Sequence, residues 1–361
     1  MFGLMTQTAL TQRLAFLGNN AFPGPYNGVE TVLAFSDAAS ELRTLLSSCG
    51  VFDLGWRTKI SVTGKDRVRW LNGMITNNIR DLAVDHGNYN FALSHQGRIL
   101  ADMYAYNLGD SLLLDTDRSQ SETILKTIGR YIIMDDVKLA DSGDTLSAIG
   151  VCGPKAEQVL ATAGLDVADL EPLQLRRQVL SNADVTIVRG PEQKPSWYEI
   201  WPHPDNAQTI WSALTSSGAA PVGARALEFW RILRGIPQYG PDKDIRERDL
   251  PQETEQHQAL CFTKGCYIGQ EIVERIRSRG QVHRKFTGLE FPDGLTATGK
   301  YDVEGRTLAE ITTTVRVPLP AGDKNIGLAY VRRDAAPAGS QIELNGQKVK
   351  VTDLPFHISS H

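Results

Sequence analysis

Two alternating runs joined by a Gln96-Gly97 turn constrain the fold of this chain more than any other feature. Residues 88–93 alternate polar and apolar, and residues 98–107 continue the alternation beyond the turn, which predicts a β-hairpin. A hairpin commits its strands to antiparallel pairing, so the chain belongs to the α+β class rather than to the parallel α/β folds. Further strands are predicted near 59–62, 111–115, 136–139, 145–151, 185–188 and 196–201. Helical spacing of apolar residues predicts helices over 37–48, with Asp37 as cap, and over 66–74, 119–131, 154–163, 205–215 and 224–233. Residues 173–184 carry no clear period.

Beyond Gly280 the helix signals stop. Short apolar segments at 285–291, 326–331, 341–344 and 349–351 predict a small all-β module instead. A chain of 361 residues exceeds what one core supports. The expected division is therefore 1–280, with subdomains of roughly 1–150 and 151–280, followed by 281–361, with the boundary near Gln281.

The charge balance excludes some partners. Lys and Arg number 38 and Asp and Glu 42, a net charge of −4, which argues against wholesale coating of nucleic acid and leaves room only for local basic patches. Four cysteines, Cys49, Cys152, Cys261 and Cys266, form no disulfide framework and fit a reducing compartment. The first 22 residues lack a basic start followed by an apolar run, Met5 is a second candidate start, and no run of eighteen apolar residues exists; the expectation is a cytoplasmic protein without membrane association. Cys261, Cys266, His257 and His283 match no usual zinc spacing, so no metal site is expected.

Within residues 264–271 the chain reads Lys-Gly-Cys-Tyr-Ile-Gly-Gln-Glu, unlike any core segment. Gly265 and Gly269 permit a sharp turn, and Gln270, Glu271, Ile272, Val273 and Ile276 read as the start of an amphipathic helix. Cys266 would then precede a helix N-terminus, with Lys264 two residues away, an arrangement that favours a thiolate. The bland alternative is a buried cysteine in a glycine-rich turn.

Other candidates are quieter. Arg275, Arg277, Arg279, His283, Arg284 and Lys285 crowd eleven positions, and either an anion site or a solvated surface accounts for them. Arg231 ends a helix that runs into a long loop through Tyr239, and Glu199 lies on a strand between Tyr198 and Ile200. Strand alternation sets Glu199 on the face opposite these two, as an exposed acid or as a carboxylate able to accept two parallel hydrogen bonds. Asp102 is a lone acid on the second hairpin strand, a candidate base or an ordinary surface acid.

The octapeptide from Lys264 to Glu271 resembles the signature of the YgfZ-type folate-binding proteins, relatives of the glycine cleavage system T-protein (aminomethyltransferase). Weaker matches in the right order are Gly50-Val51-Phe52-Asp53-Leu54, residues 62–66, 97–102, 198–201 and 231–240, and Gly327-Leu328-Ala329-Tyr330-Val331. The resemblance implies several α+β subdomains around a central folate cavity, closed by a C-terminal antiparallel β-barrel. It implies that tetrahydrofolate or a derivative binds there, with Glu199 at the pterin edge and Arg231 at the glutamate tail, and with Tyr267, Gln270 and Arg275 as further folate contacts. Cys266, Lys264 and Asp102 are the expected catalytic residues. Where T-proteins resemble Gly-Gly-Ile-Leu-Asp-Asp, this chain has Gly97-Arg98-Ile99-Leu100-Ala101-Asp102, which lacks one of two paired acids. The resemblance implies a folate-dependent accessory role in iron–sulfur cluster assembly or repair, with an effect on tRNA modification and iron–sulfur client proteins as partners, and a non-classical accessory factor is expected ahead of a one-carbon transferase. The alternative is a folate-dependent aminomethyltransferase that uses Asp102 to position a nucleophilic amine.

Overall fold

The structure is a computed structural model that describes residues 6–14, 21–191, 194–280, 282–292, 294 and 297–358. Met5, Gln281 and part of the turn at 190–195 lie outside the described residues. The chain divides into two compact units: one is built from the segments up to Leu71, 78–89 and Met103–Leu227, the other from Asn72–Asn77, Asn90–Asp102 and Glu228–His361.

In the first unit a six-stranded sheet runs in the order Leu175–Leu180, Ala183–Arg189, Trp197–Pro202, Ile149–Cys152, Gly50–Asp53 and Ala220–Pro221. All its pairs are antiparallel except the last. Val159 and Leu160 of the helix Ala156–Thr162, with Ile210, Trp211 and Leu214 of the helix Ala207–Ser216, share one apolar core with Val51, Ile149, Val151, Ile187 and Ile200 of the sheet. Each such side chain, buried fully, contributes about 1.5–3 kcal/mol. The helix Ala38–Ser47 begins where its cap predicts, with the Asp37 carboxylate accepting from the Ser40 N–H at 3.1 Å.

A five-stranded sheet has the order His86–Leu93, Ile99–Asn107, Leu112–Asp117, Arg57–Thr63 and Lys138–Asp141. The predicted hairpin forms its first two strands, and Gly97 in the turn takes φ +70°. Along Ile99–Asn107 burial alternates: Ala101 and Met103 are buried, Asp102 and Tyr104 half-buried.

The second unit ends in an antiparallel sheet ordered Gly299–Val303, Arg306–Val317, Lys324–Arg332, Arg284–Glu290, Gln347–Thr352 and Gln341–Leu344. The expected closed β-barrel is corrected here. Among the described residues the strands Gly299–Val303 and Gln341–Leu344 are edges that do not pair with each other, so the sheet is an open half-barrel. It still closes over its own core, in which Leu289, Ala329, Val331, Val349 and Val351 are fully buried. Among the described residues no helix is long and apolar enough to cross a membrane.

Candidate functional site

In the first unit, neighbouring strands assemble a polar cluster beside aromatic rings. Pairing sets Lys59 across from Asp115 and Arg57 across from Asp117. The Lys59 ammonium lies 2.7 Å from Asp115 Oδ1, while Arg57 reaches Asp115 at 2.8 Å and Asp117 at 3.0 Å. Burial alone would raise the Asp115 carboxyl, but the two cations outweigh it and hold the group below the ordinary carboxylate range. Lys59 also sits 4.3 Å over the Trp201 ring, which meets Tyr106 edge-on at 5.3 Å. Trp201 donates its indole N–H to Glu199 Oε2 at 2.9 Å. Glu199 is half-buried on the face opposite the buried Tyr198 and Ile200, and its charge reaches Arg57 and Tyr106. Across the sheet from Glu199 stands Gly150, where any Cβ would collide with the Phe52 ring at 1.8 Å.

In the second unit, Arg231 is 8% exposed and fully engaged in pairing. It reaches Glu228 at 2.6 Å and Asp244 at 2.7 Å, and it donates to the carbonyl of Ile236. Asp244 in turn accepts from Thr312 and Thr313, both at 2.7 Å, which fastens the helix end to the C-terminal sheet. A tail carboxylate at Arg231 would have to displace one of these partners. Asp102 lies within electrostatic reach of Tyr239, whose hydroxyl is raised by burial and then by the charges of Glu247, Asp102 and Asp249. Tyr239 anchors its loop by donating to the Leu100 carbonyl at 2.6 Å.

The octapeptide is a loop leading into the helix Gln270–Arg279. Lys264, buried, donates to the carbonyls of Ile75 at 2.7 Å and Asn77 at 2.5 Å and lies 5.1 Å over the Tyr267 ring. The Tyr267 N–H donates to the Gln270 side chain at 3.3 Å. Gly269 has φ +81°, and a Cβ there would sit 2.5 Å from the Ser94 carbonyl, so only glycine fits. Cys266 is exposed. Arg275 pairs with Glu271 at 2.8 Å on the open helix surface, and Arg277 stacks on Phe262 at 4.4 Å. Arg284 instead joins a partly buried network with Asp249, Glu253 and Glu310. The basic stretch is thus dispersed over a helix, a strand and their separate partners.

Of the expected residues, Lys264, Tyr267 and Gln270 come together in one loop, whereas Glu199 belongs to the other unit. Arg57, Lys59, Asp115 and Trp201 escaped the sequence reading. Their only signal was a lysine and an arginine in strand positions facing two aspartates, which becomes visible once register is known.

Comparison with known proteins corrects the functional expectation. Over 363 residues the chain is 27% identical to an aminomethyltransferase of Herpetosiphon aurantiacus, covering 98% of each chain. It is 26% identical over 356 residues to an aminomethyltransferase of Symbiobacterium thermophilum, covering 93% of this chain and 94% of that one. The glycine cleavage system aminomethyltransferase T from Bartonella henselae has the same fold, with a TM-score of 0.85 at 20% identity and 98% of both chains covered. These near full-length matches to aminomethyltransferases overturn the accessory role in iron–sulfur assembly or tRNA modification, and with it the expectation of a non-classical accessory factor. Residues 13–264 match the GCVT N-terminal domain, and the chain belongs to that family.

Proposed function

We propose that this protein is a folate-dependent aminomethyltransferase, which moves a one-carbon unit from an aminomethyl donor to tetrahydrofolate. The observation that carries the reading is the Glu199 carboxylate, half-buried beside Trp201 and held through one oxygen by the indole N–H. A carboxylate has about four acceptor sites, so most of its capacity is left for a ligand. A pterin edge offers two N–H donors side by side, which a carboxylate accepts in parallel. The donor set therefore fits the group. Bound there, the reduced folate would supply the nitrogen that receives the one-carbon unit.

Asp102 is the residue assigned to the reacting amine, which it would orient and whose proton it would hold. The missing second acid does not weaken this role. Ala101 points into the core at 1% exposure, on the strand face opposite Asp102, so an acid at 101 would not share a ligand with the carboxylate at 102. Arg231, with its partners in place, positions the loop that carries Tyr239.

The test is formation of methylenetetrahydrofolate from an aminomethylated carrier, with titration calorimetry against tetrahydrofolate in parallel. Asp102→Asn is expected to lower turnover by about 100-fold or more while tetrahydrofolate affinity is kept, the range in which a positioned acid–base group contributes. Tetrahydrofolate binding without any turnover in the unaltered chain would overturn the transfer reading, and no binding at all would overturn both parts.

A further inference from the structure

Within the second unit, the C-terminal sheet carries a cavity of about 1000 Å³ on the face turned away from its own core. Strand register builds this face. Lys300 lies across from Glu310, and Glu310 across from Tyr330, so the three share one side. Their neighbours Ala309, Ile311, Ala329 and Val331 point the other way, into the core. Two positions on from Tyr330, Arg332 pairs across from Arg284. Like charges directly opposite are unfavourable in a sheet, and here each is offset by acids. Asp334 holds Arg332 at 2.7 Å, while Asp249, Glu253 and Glu310 hold Arg284 at 2.7, 3.0 and 2.8 Å. Glu310 and Asp334, the acids of the cavity wall, are thereby already engaged. Lys300, Arg306 and Arg333 line the same cavity, are exposed, and have no ion pair among the described residues. Three uncompensated positive charges therefore stand in one concavity, which focuses their field. Tyr330 belongs to the wall as well. It is 1% exposed, the Arg284 guanidinium lies 4.4 Å over its ring, and its hydroxyl has no hydrogen-bond partner, so the wall holds a donor it does not satisfy.

We propose that this cavity binds an organic diphosphate, at a site that does not depend on the folate reading of Glu199. Guanidinium forks match phosphate oxygens two at a time, and an ammonium adds a point charge. A diphosphate ester carries about three negative charges in one compact group near neutral pH, which balances Lys300, Arg306 and Arg333. Three carboxylates carry the same charge on a wider frame. The volume exceeds what an inorganic ion fills and stands at the upper end of small-molecule sites, about 300–1000 Å³. Val282 and Leu308, both buried in the cavity wall, give the organic part an apolar surface.

The experiment is titration calorimetry on the full chain with ADP, inorganic pyrophosphate and citrate as probes. ADP is expected to bind once per chain, pyrophosphate about threefold or more weaker for want of apolar contact, and citrate about tenfold or more weaker. Arg306→Ala and Arg333→Ala should each lower ADP affinity about tenfold or more, the low end of what a hydrogen bond to a charged group contributes. Both side chains are exposed, so the unfolding midpoint of each variant should match that of the unaltered chain. Lys126→Glu, at an exposed position in the first unit, controls for net charge and should change ADP affinity less than about twofold, since salt screens distant charges. No ADP binding, citrate or pyrophosphate as tight as ADP, full affinity in both arginine variants, or a loss in Lys126→Glu as large as theirs would each overturn the assignment.

Discussion

The surroundings of Glu199 and the loop 264–271 are opposite kinds of region. The loop is conspicuous in the sequence, and the structure accounts for most of what makes it so: Lys264 ties down two carbonyls, Gly269 fits against Ser94, and Gln270 receives the Tyr267 N–H. Glu199 is inconspicuous, yet its neighbours come from strands far apart in the chain, at 57–59, 106, 115 and 201. An unusual short segment thus reports a density of local constraints, and those constraints serve folding as readily as chemistry. A ligand face built from sheet registers leaves almost no local trace.

The largest expected effect would break the support beneath Glu199. Lys59 and Asp115 are each 1% exposed, and Arg57 shares the same carboxylate. Asp115→Asn leaves two cations without their principal counter-charge. Removing one partner of a buried pair costs about 3–5 kcal/mol, and urea unfolding should register a loss of that size. A loss below about 1 kcal/mol would mean that Asp117 and water replace Asp115, and that the cluster does not hold the strands in register.

Glu199→Gln sharpens the comparison from the ligand's side. One acceptor oxygen becomes a donor, so the two parallel bonds to a pterin edge are reduced to one. Tetrahydrofolate affinity should fall by about 1.5–3 kcal/mol, the value of hydrogen bonds to a charged group, or roughly 10- to 150-fold. The unfolding midpoint should barely move, because only the Trp201 indole bonds this carboxylate from within the described protein. Unchanged affinity in calorimetry would remove Glu199 from the folate reading.

Much of the fold was legible because its signals are local. The Asp37 cap, the hairpin around Gln96-Gly97 and the helix 224–233, observed as Ala224–Arg234 with Gly235 at φ +67° just beyond it, each depend on residues within a few positions of one another. Residues 173–184 gave no period because they hold the strand Leu175–Leu180 and a turn at Ser181-Asn182, both at positive φ, without the Asn-Gly or Asp-Gly pair that usually marks such a turn. The twelve-residue strand Arg306–Val317 went unread because Thr312 and Thr313 interrupt its apolar alternation at a register shift, where their hydroxyls serve Asp244. Lys59 illustrates the same limit at the site. A lysine in a strand reads as exposed until the strand across from it is known to present Asp115.

Acid should weaken both units through their paired carboxylates, with a smaller effect per group. Burial alone would raise Asp115 and Asp244, but Arg57 with Lys59 in one case, and Arg231 with the Thr312 and Thr313 hydroxyls in the other, hold them below the ordinary value. A depressed folded value means that the unfolded chain binds more protons in the acid range. The stability these groups contribute is therefore present above the unfolded value of about 3.9 and is lost as pH falls toward the folded one. Each accounts for at most about 1.4 kcal/mol per pH unit. Asp244→Asn should flatten the stability curve below about pH 4, and an unchanged slope would show that Asp244 stays ionised in neither state or in both.

The smallest effect tests whether the charged end of the loop helix belongs to the ligand or to the solvent. Arg275 is 60% exposed and its partner Glu271 82% exposed, so their pair at 2.8 Å is a four-apart helix contact in water. Such pairs contribute about 0.3–0.5 kcal/mol, and salt screens them. Arg275→Ala is expected to lower stability by no more than that and to leave tetrahydrofolate affinity unchanged, for the monoglutamate and for longer tails alike. A weakening of several-fold that grows with tail length and fades as salt is raised would return Arg275 to the folate. Sequence crowding at the end of the loop would then mark a binding surface after all.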